Sequence, residues 1–278
     1  MKINLRSHAK INLALSINYK RSDGYHNISS IMQEIDLFDI IEISKQTSSD
    51  INIISKGIKI PEDQSNLCYI AAKLFLNHYK IHHGLNITIN KKIPIGGGLG
   101  GGSSNAATVI KGLANIFSIN IDQRTFHKFS SDIGADVFFF YRGGIQYAEG
   151  KGDQLTSIPK FLKDYYILLV CPDISISTSW AYTEYKKYLE NNINPSNFVP
   201  LSGELDWSLL RNDFEKVVLS TYPEIMEIKS KLKKAGALFS SLSGSGSTVF
   251  GVFNNLELIR RSSDLFNDYQ TYETLPIN

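Results

Sequence analysis

The chain has 278 residues, 42% of them hydrophobic and 20% charged, with a formal net charge of +2. That balance predicts a globular protein of one large or two smaller domains and gives no basis for a nucleic-acid partner. There is no apolar run of membrane-spanning length, no signal core and no Arg/Ser-rich transit segment, so a soluble, cytoplasmic protein is expected.

Ile3 and Leu5 alternate, and Ala9, Ile11, Leu13, Leu15 and Ile17 continue with period two. This predicts one or two strands ending near Asn18, with Lys10 and Asn12 on the face opposite those apolar side chains. The segment Lys20-Arg-Ser-Asp-Gly-Tyr-His26 carries the turn signal Asp23-Gly24. Further strands are expected over residues 28–43 and 51–54. Ser65 is placed to cap a helix bearing Leu67, Ile70, Ala71, Leu74 and Phe75. Cys68 and Cys171 sit in apolar runs without metal spacing and read as buried free thiols.

Leu85, Ile87 and Ile89 alternate as a strand, and a loop with six glycines follows: Pro94-Ile-Gly-Gly-Gly-Leu-Gly-Gly-Gly-Ser-Ser104. A helix carrying Val109, Ile110 and Leu113 on one face comes next, with Ser103 or Ser104 as its cap. Asp122 caps a helix with Phe126 and Phe129. Gly134-Ala-Asp136, an apolar run to Phe140 and a strand near 144–148 come after it. The polar Gly150-Lys-Gly-Asp153 marks a candidate boundary, dividing residues 1–155 from 156–278. Beyond it the pattern predicts a strand (165–171), a helix (179–189), a polar loop (190–203) and helices over 207–219 and 223–234. Strands at 237–242 and 249–253 flank Ser243-Gly-Ser-Gly-Ser-Thr248, and a helix (256–266) and a strand (271–275) close the chain. Strand–helix–strand–strand–helix–strand is a ferredoxin-like order.

A strand, a glycine loop and a helix N-terminus together aim bare N–H groups and the positive end of a helix dipole at one spot, which suits a phosphate. Gly96, Gly98 and Gly101 match a dinucleotide fingerprint literally, with Asp122 as the acid. But the loop lies after several strands, and Asp122 reads better as a cap. No Gly-Lys-Ser/Thr follows, so the loop is not a Walker A motif either. A third kind of phosphate cradle remains, closed by Ser103 and Ser104, whose hydroxyls could bind a phosphate oxygen or help hold Mg²⁺.

Residues 94–107 resemble the ATP loop of the superfamily of galactokinase, homoserine kinase, mevalonate kinase and phosphomevalonate kinase (the GHMP kinases). Ala9-Lys-Ile-Asn-Leu13 and Leu242-Ser-Gly-Ser-Gly-Ser-Thr248 agree in order and place. Arg21-Ser-Asp-Gly-Tyr-His26 and Gly134-Ala-Asp136 narrow the likeness to the branch that phosphorylates a cytidine diphosphate-linked methylerythritol in the non-mevalonate isoprenoid pathway. The resemblance implies an α+β, two-domain fold. Its N-terminal, ATP-binding domain is ribosomal-S5-domain-2-like and contains a left-handed crossover. Its C-terminal domain is ferredoxin-like, and the active site lies in the cleft between the two. It implies ATP with Mg²⁺ as the phosphoryl source and a small-molecule substrate, with no nucleic acid and no membrane, acting as a monomer or weak homodimer.

A kinase of an alcohol needs a carboxylate to orient or accept the hydroxyl proton. Asp136 and Asp132 are the candidates. The apolar run after Asp136 predicts its burial and a charged partner, for which Lys10 is available. The resemblance assigns catalysis to Lys10 and Asp136. It assigns ATP binding to Pro94, Ile95, Gly96, Gly97, Gly98, Leu99, Gly100, Gly101, Gly102, Ser103 and Ser104, with Asn66 and Lys91 toward the adenosine. Taken alone, Asn66 would pass as a helix cap and Lys91 as a solvated strand lysine. Tyr25 and His26 suit a nucleobase, one stacking and one reading an edge, or serve as packing residues. The resemblance adds a second aromatic ring, Tyr182 with Trp180 as the alternative. It also puts Thr178 near the transferred phosphate and Asn12 at the polyol. The second glycine loop is expected to pack on the first.

Overall fold

The computed structural model describes residues 2–22, 24–191 and 206–277. Asp23 and most of the expected polar loop at 190–203 lie outside the described residues. In chain order the first elements are β1 (Lys2–Lys20), β2 (His26–Gln46), β3 (Ile51–Gly57), α1 (Leu67–His78), β4 (Gly84–Lys91), α2 (Gly101–Ile116), α3 (Gln123–Ile133) and α4 (Phe139–Arg142). Then come β5 (Ile145–Glu149), β6 (Gln154–Ser157), β7 (Tyr166–Cys171), α5 (Thr178–Asn191), α6 (Glu215–Thr221) and α7 (Pro223–Lys234). β8 (Phe239–Leu242), β9 (Val249–Phe253), α8 (Leu256–Ser263) and β10 (Gln270–Thr274) close the chain.

The chain divides into two compact units. One comprises Met1–Ala9, Leu37–Pro94 and Gly100–Gly143. In it β4 lies between β3, which runs parallel to it, and the C-terminal part of β2, which runs antiparallel. Ile43 and Ile53 both stand opposite Ile87. Leu85, Ile87 and Ile89 point inward as their alternation predicts, and all are fully buried. Because β3 and β4 are parallel neighbours, the chain must cross over between them, and α1 is that crossover. Its buried residues, Cys68, Ala71, Ala72, Phe75 and Leu76, recur at helical spacing. α1 packs on α2 and α3.

The other unit comprises Lys10–Asp36, Ile95–Leu99 and Gly144–Asn278. Residues 30–33 of β2 pair with β5, which pairs with β6. β7 to β10 form a separate antiparallel sheet in the order β10-β7-β9-β8. That is the ferredoxin-like order: the first strand sits between the fourth and the third, and helices follow the first and third strands. Leu168, Val170, Val249 and Phe253 of this sheet share one core with Phe214, Val218, Ile225, Ile228, Leu232 and Ile259 of the helices.

Four local expectations are corrected. The cap of α1 is Asn66, whose side chain accepts from the Cys68 N–H; Ser65 is bonded to Asp63 instead. α2 is capped by Gly100 in the left-handed region (φ 67°), with no side-chain cap, so neither Ser103 nor Ser104 caps it. The helix expected over 207–219 is a single 3-10 turn, Trp207–Leu209, followed by α6. Between them the backbone bonds to β1: the Leu15 N–H donates to Arg211 O, and the Asp213 N–H donates to Leu15 O. Those groups are therefore unavailable for a helical ladder. The helix expected over 256–266 ends at Ser263, and its last residues form a 3-10 turn. Asp122 does cap α3, accepting from the Thr125 N–H.

Candidate active site

In the second unit the two glycine loops meet. Ser243 Oγ donates to Gly98 O (2.9 Å) and the Thr248 N–H donates to Gly97 O (3.3 Å). Gly98 has φ 75°, and a Cβ there would lie 1.9 Å from Ser243 O, so only glycine permits the approach. β1 joins them at the same place, because the Lys10 N–H donates to Leu99 O (3.0 Å). Lys10 and Asn12 are both buried, and the Lys10 ammonium donates to Asn12 Oδ1 (2.5 Å). Asn12 Nδ2 donates to Ser30 Oγ, which donates to Ala14 O. The second loop passes close by: a Cβ on Gly244 would stand 3.5 Å from Asn12 Oδ1 and 3.4 Å from Gly98 O. Thr178, the exposed first residue of α5, lies 3.0 Å from Ser245 Oγ of that loop. Lys10, Asn12, residues 95–99, Thr178 and the second glycine loop are thus brought together.

The same unit holds the aromatic residues. His26 lies face to face with Tyr182, ring centroids 4.8 Å apart and planes at 10°. Tyr182 in turn rests edge-on against the buried Phe214 (4.9 Å). Trp180 goes elsewhere, onto the edge of Tyr222. Tyr25 is 56% exposed, with the Lys151 ammonium 5.2 Å above its ring. Burial, and the charge of Lys20 after it, hold the His26 imidazole below its ordinary pKa. At neutral pH His26 is therefore uncharged, with one nitrogen to donate and one to accept.

In the first unit the glycine loop becomes α2. The first-turn N–H groups of Gly101, Gly102 and Ser103 have no intrahelical acceptor, while the Ser104 N–H bonds back to Gly100 O. Ser103 is half-buried, but the Ser104 hydroxyl is buried against Ser7 Oγ (2.8 Å). Of the two hydroxyls only that of Ser103 faces outward. The turn Ala135–Val137 packs against α2, and a Cβ on Gly134 would lie 3.9 Å from Ser103 Oγ. Asp136 on that turn is half-buried, not buried as expected: Val137 takes the inward position.

One residue the sequence reading missed is Asp39. It is fully buried, and its carboxylate accepts from Lys91 Nζ (2.5 Å) and Asn105 Nδ2 (2.8 Å), and from the N–H groups of Lys92 (2.7 Å) and Ile93 (2.9 Å). It therefore ties the end of β4 to the first turn of α2, the two flanks of the glycine loop. Lys91 is not solvated; burial lowers its pKa, against the opposing pull of Asp39. A Cβ on Gly101 would lie 2.7 Å from its ammonium. Asn66 serves as the α1 cap and donates to Pro61 O. Cys68 and Cys171 are buried and free, their thiols pushed up to about 12 and about 11 by burial. Among the described residues no group of three or more His, Cys, Asp or Glu is placed to hold a metal.

Comparison with known proteins gives the family and the fold. The GHMP kinases N terminal domain matches residues 66–144, and the GHMP kinases C terminal domain matches residues 196–262. The 4-diphosphocytidyl-2-C-methyl-D-erythritol kinase of Thermodesulfovibrio yellowstonii is 44% identical over 276 residues, covering 95% of this chain and 94% of the relative. That of Acetivibrio thermocellus is 39% identical, covering 91% and 90%. A crystal structure of 4-(cytidine 5'-diphospho)-2C-methyl-D-erythritol kinase superposes with a TM-score of 0.79 at 25% identity, covering 99% of this chain and all of the other. The Methanococcus jannaschii mevalonate kinase shares the fold, with a TM-score of 0.70 at 17% identity and coverage of 100% and 99%.

Proposed function

The chain belongs to the GHMP kinases, and within them to the 4-diphosphocytidyl-2-C-methyl-D-erythritol kinases, and from that premise we propose how its own residues perform the reaction. The protein transfers the γ-phosphoryl of ATP to the 2-hydroxyl of 4-diphosphocytidyl-2-C-methyl-D-erythritol, a step of isoprenoid precursor synthesis by the non-mevalonate route. The observation that carries the substrate reading is the parallel pair His26–Tyr182, built on the block that separates this branch from other GHMP kinases.

Tyr25, His26 and Tyr182 hold the cytosine: the imidazole that lies on Tyr182 turns aside to read an edge, and the base takes its place against the phenol rings. Asn12 binds the polyol end, and Thr178 stands by the phosphate being transferred. Residues 94–104 cradle the triphosphate, residues 95–103 through backbone N–H groups, with Asn66 and Lys91 on the adenosine side. Asp136 orients the hydroxyl and accepts its proton as the oxygen attacks the γ-phosphorus. The bond from that phosphorus to the bridging oxygen breaks, and ADP leaves. Lys10 stabilises the charge on the transferring phosphoryl.

A Mg²⁺ ion accompanying ATP would supply charge neutralisation to the phosphates, and such an ion needs only one or two protein oxygens. The outward Ser103 hydroxyl is a fitting donor, while Ser104 is occupied by Ser7. Residues 1–155 as an ATP-binding domain and residues 156–278 as a second domain are in keeping with the two family matches, although the compact units interleave in sequence, Lys10–Asp36 and Ile95–Leu99 grouping with Gly144–Asn278. Among the described residues no helix is long and apolar enough to cross a membrane. The proposed acting form is a cytoplasmic monomer or weak homodimer that takes small molecules.

The test is a substrate panel with purified protein, ATP and Mg²⁺. Turnover with the cytidyl polyol and none with homoserine, mevalonate or galactose supports the reading; faster turnover of any of the latter would sink it.

A further inference from the structure

The segment Asn212-Asp213-Phe214-Glu215 belongs to no assigned site, yet each of its side chains reaches a different piece of the second unit's machinery. Asn212 is 3% exposed. Its Nδ2 donates to Leu242 O and to Gly244 O, both at 2.8 Å, so it holds the second glycine loop from behind. That loop is the one that bonds Gly97 and Gly98 and passes Asn12. Asp213 is fully buried and accepts from the Ile17 N–H (2.9 Å), fixing β1, with Lys216 Nζ 3.1 Å from its other oxygen. Phe214 is the edge-on support of Tyr182, the ring that faces His26. Glu215 accepts from Ser241 Oγ (2.9 Å) and the Leu242 N–H (3.0 Å) and pairs with Lys229.

We propose that this tetrapeptide is a positioning hub for both ends of the substrate, with Phe214 fixing the plane of the base-stacking ring Tyr182 and Asn212 fixing the glycine loop at the phosphate end. The proposal rests on the kinase reading above. The plainer role is an Asx turn leading into α6, since Asn212 Oδ1 also accepts from the Phe214 N–H (3.0 Å). Such a turn needs only an acceptor, and serine supplies one. The two Nδ2 bonds exceed that need, and so does an aromatic ring under Tyr182 where any apolar side chain would fill the core. Burying a polar side chain is costly unless its groups are bonded, and here the bonds run to the loop and to β1 and not merely within the helix end.

The two roles separate in kinetics. Phe214→Leu keeps the volume apolar and removes the ring contact. It should raise the KM for the cytidyl polyol about 3–10-fold, as the loss of an aromatic pair predicts, and leave kcat and the KM for ATP within about twofold. Asn212→Ser keeps an acceptor for the turn into α6 and removes the Nδ2 donors. It should lower kcat by about tenfold or more while the KM for the cytidyl polyol stays within about twofold. Ile228→Ala, in the same core but making none of the hydrogen bonds described above, is the control for a general loss of stability; it should lower the melting temperature and move neither KM. If Asn212→Ser fails to fold, Ser243→Ala removes the next bond of the chain, to Gly98 O, and should show the same fall in kcat. The hub is overturned if the variants change no more than Ile228→Ala does, or if both change the same constants together. Wild-type turnover of the cytidyl polyol is measured first. Its absence refutes the kinase reading and the hub with it, whereas normal wild-type turnover with unsplit variants refutes the hub alone.

Discussion

His26 opens β2, Tyr182 lies in the first turn of α5, and the two rings stack with centroids 4.8 Å apart and planes 10° from parallel. A half-buried imidazole flat on a phenol ring, with an exposed tyrosine as its chain neighbour, forms an aromatic surface where a planar base can be held on its face and read at its edge. It is Tyr182 that stacks on a residue of the Arg21–His26 block, while Trp180 contacts Tyr222.

Tyr182→Ala removes that face. Stacking of a base on an aromatic side chain is worth about 1–3 kcal/mol, so the KM for the cytidyl polyol should rise about 5–150-fold at an unchanged KM for ATP. Tyr182→Phe keeps the face and should stay within about twofold of wild type. Steady-state kinetics with each substrate varied in turn decides it; equal effects on both KM values would contradict the assignment.

The pH dependence follows from His26. Burial and Lys20 disfavour the imidazolium, so the folded pKa lies below the ordinary value of about 6.5. As pH falls, the unfolded chain takes up the proton first. The stability contributed by a neutral His26 is therefore complete above about pH 6.5 and is lost as pH falls toward the folded value. The KM for the cytidyl polyol should be flat from pH 8 to 6.5 and rise only in more acid solution, where the acceptor nitrogen is protonated. The acid rise should vanish in His26→Gln. A rise already present between pH 7 and 8 would show that another group controls binding.

Asp39→Asn should be among the most destabilising single changes in the first unit. It leaves the Lys91 ammonium buried without its counter-charge, a loss of about 3–5 kcal/mol for a broken buried pair. Urea denaturation measures it. The double variant Asp39→Asn/Lys91→Met should recover much of that stability, because the unpaired charge is gone. Failure of the second change to restore anything would mean that the bonds from Asp39 to Lys92, Ile93 and Asn105 outweigh the ion pair.

The regular elements were legible because their signals are local. Alternation placed β4, and 3.6-residue spacing placed α1. The run of strands and helices after residue 165 gave the ferredoxin-like order that the pairing β10-β7-β9-β8 realises. The two glycine loops were legible as partners, and Gly98 shows why glycine is required: the backbone of Ser243 occupies the space a Cβ would take. Asp39 was not legible. It is one of four acids in β2, with nothing local to set it apart from Glu34, Asp36 and Glu42, and its side-chain partners Lys91 and Asn105 lie 52 and 66 residues further on. The helix expected over 207–219 failed for a related reason. Its apolar spacing was real, but backbone bonds to Leu15 compete with the helical ladder, and no local pattern announces them. The burial expected for Asp136 was read from its neighbours, and the turn Ala135–Val137 directs Val137 inward in its place.

The role proposed for Asp136 in phosphoryl transfer is open to single-turnover measurement with Asp136→Ala, ATP binding being followed on the same protein. ATP affinity should stay within about twofold of wild type, and the transfer rate should fall by about 10²–10⁴-fold, the usual contribution of a positioned general base. A transfer rate within a fewfold of wild type, with ATP bound normally, would remove Asp136 from the reaction.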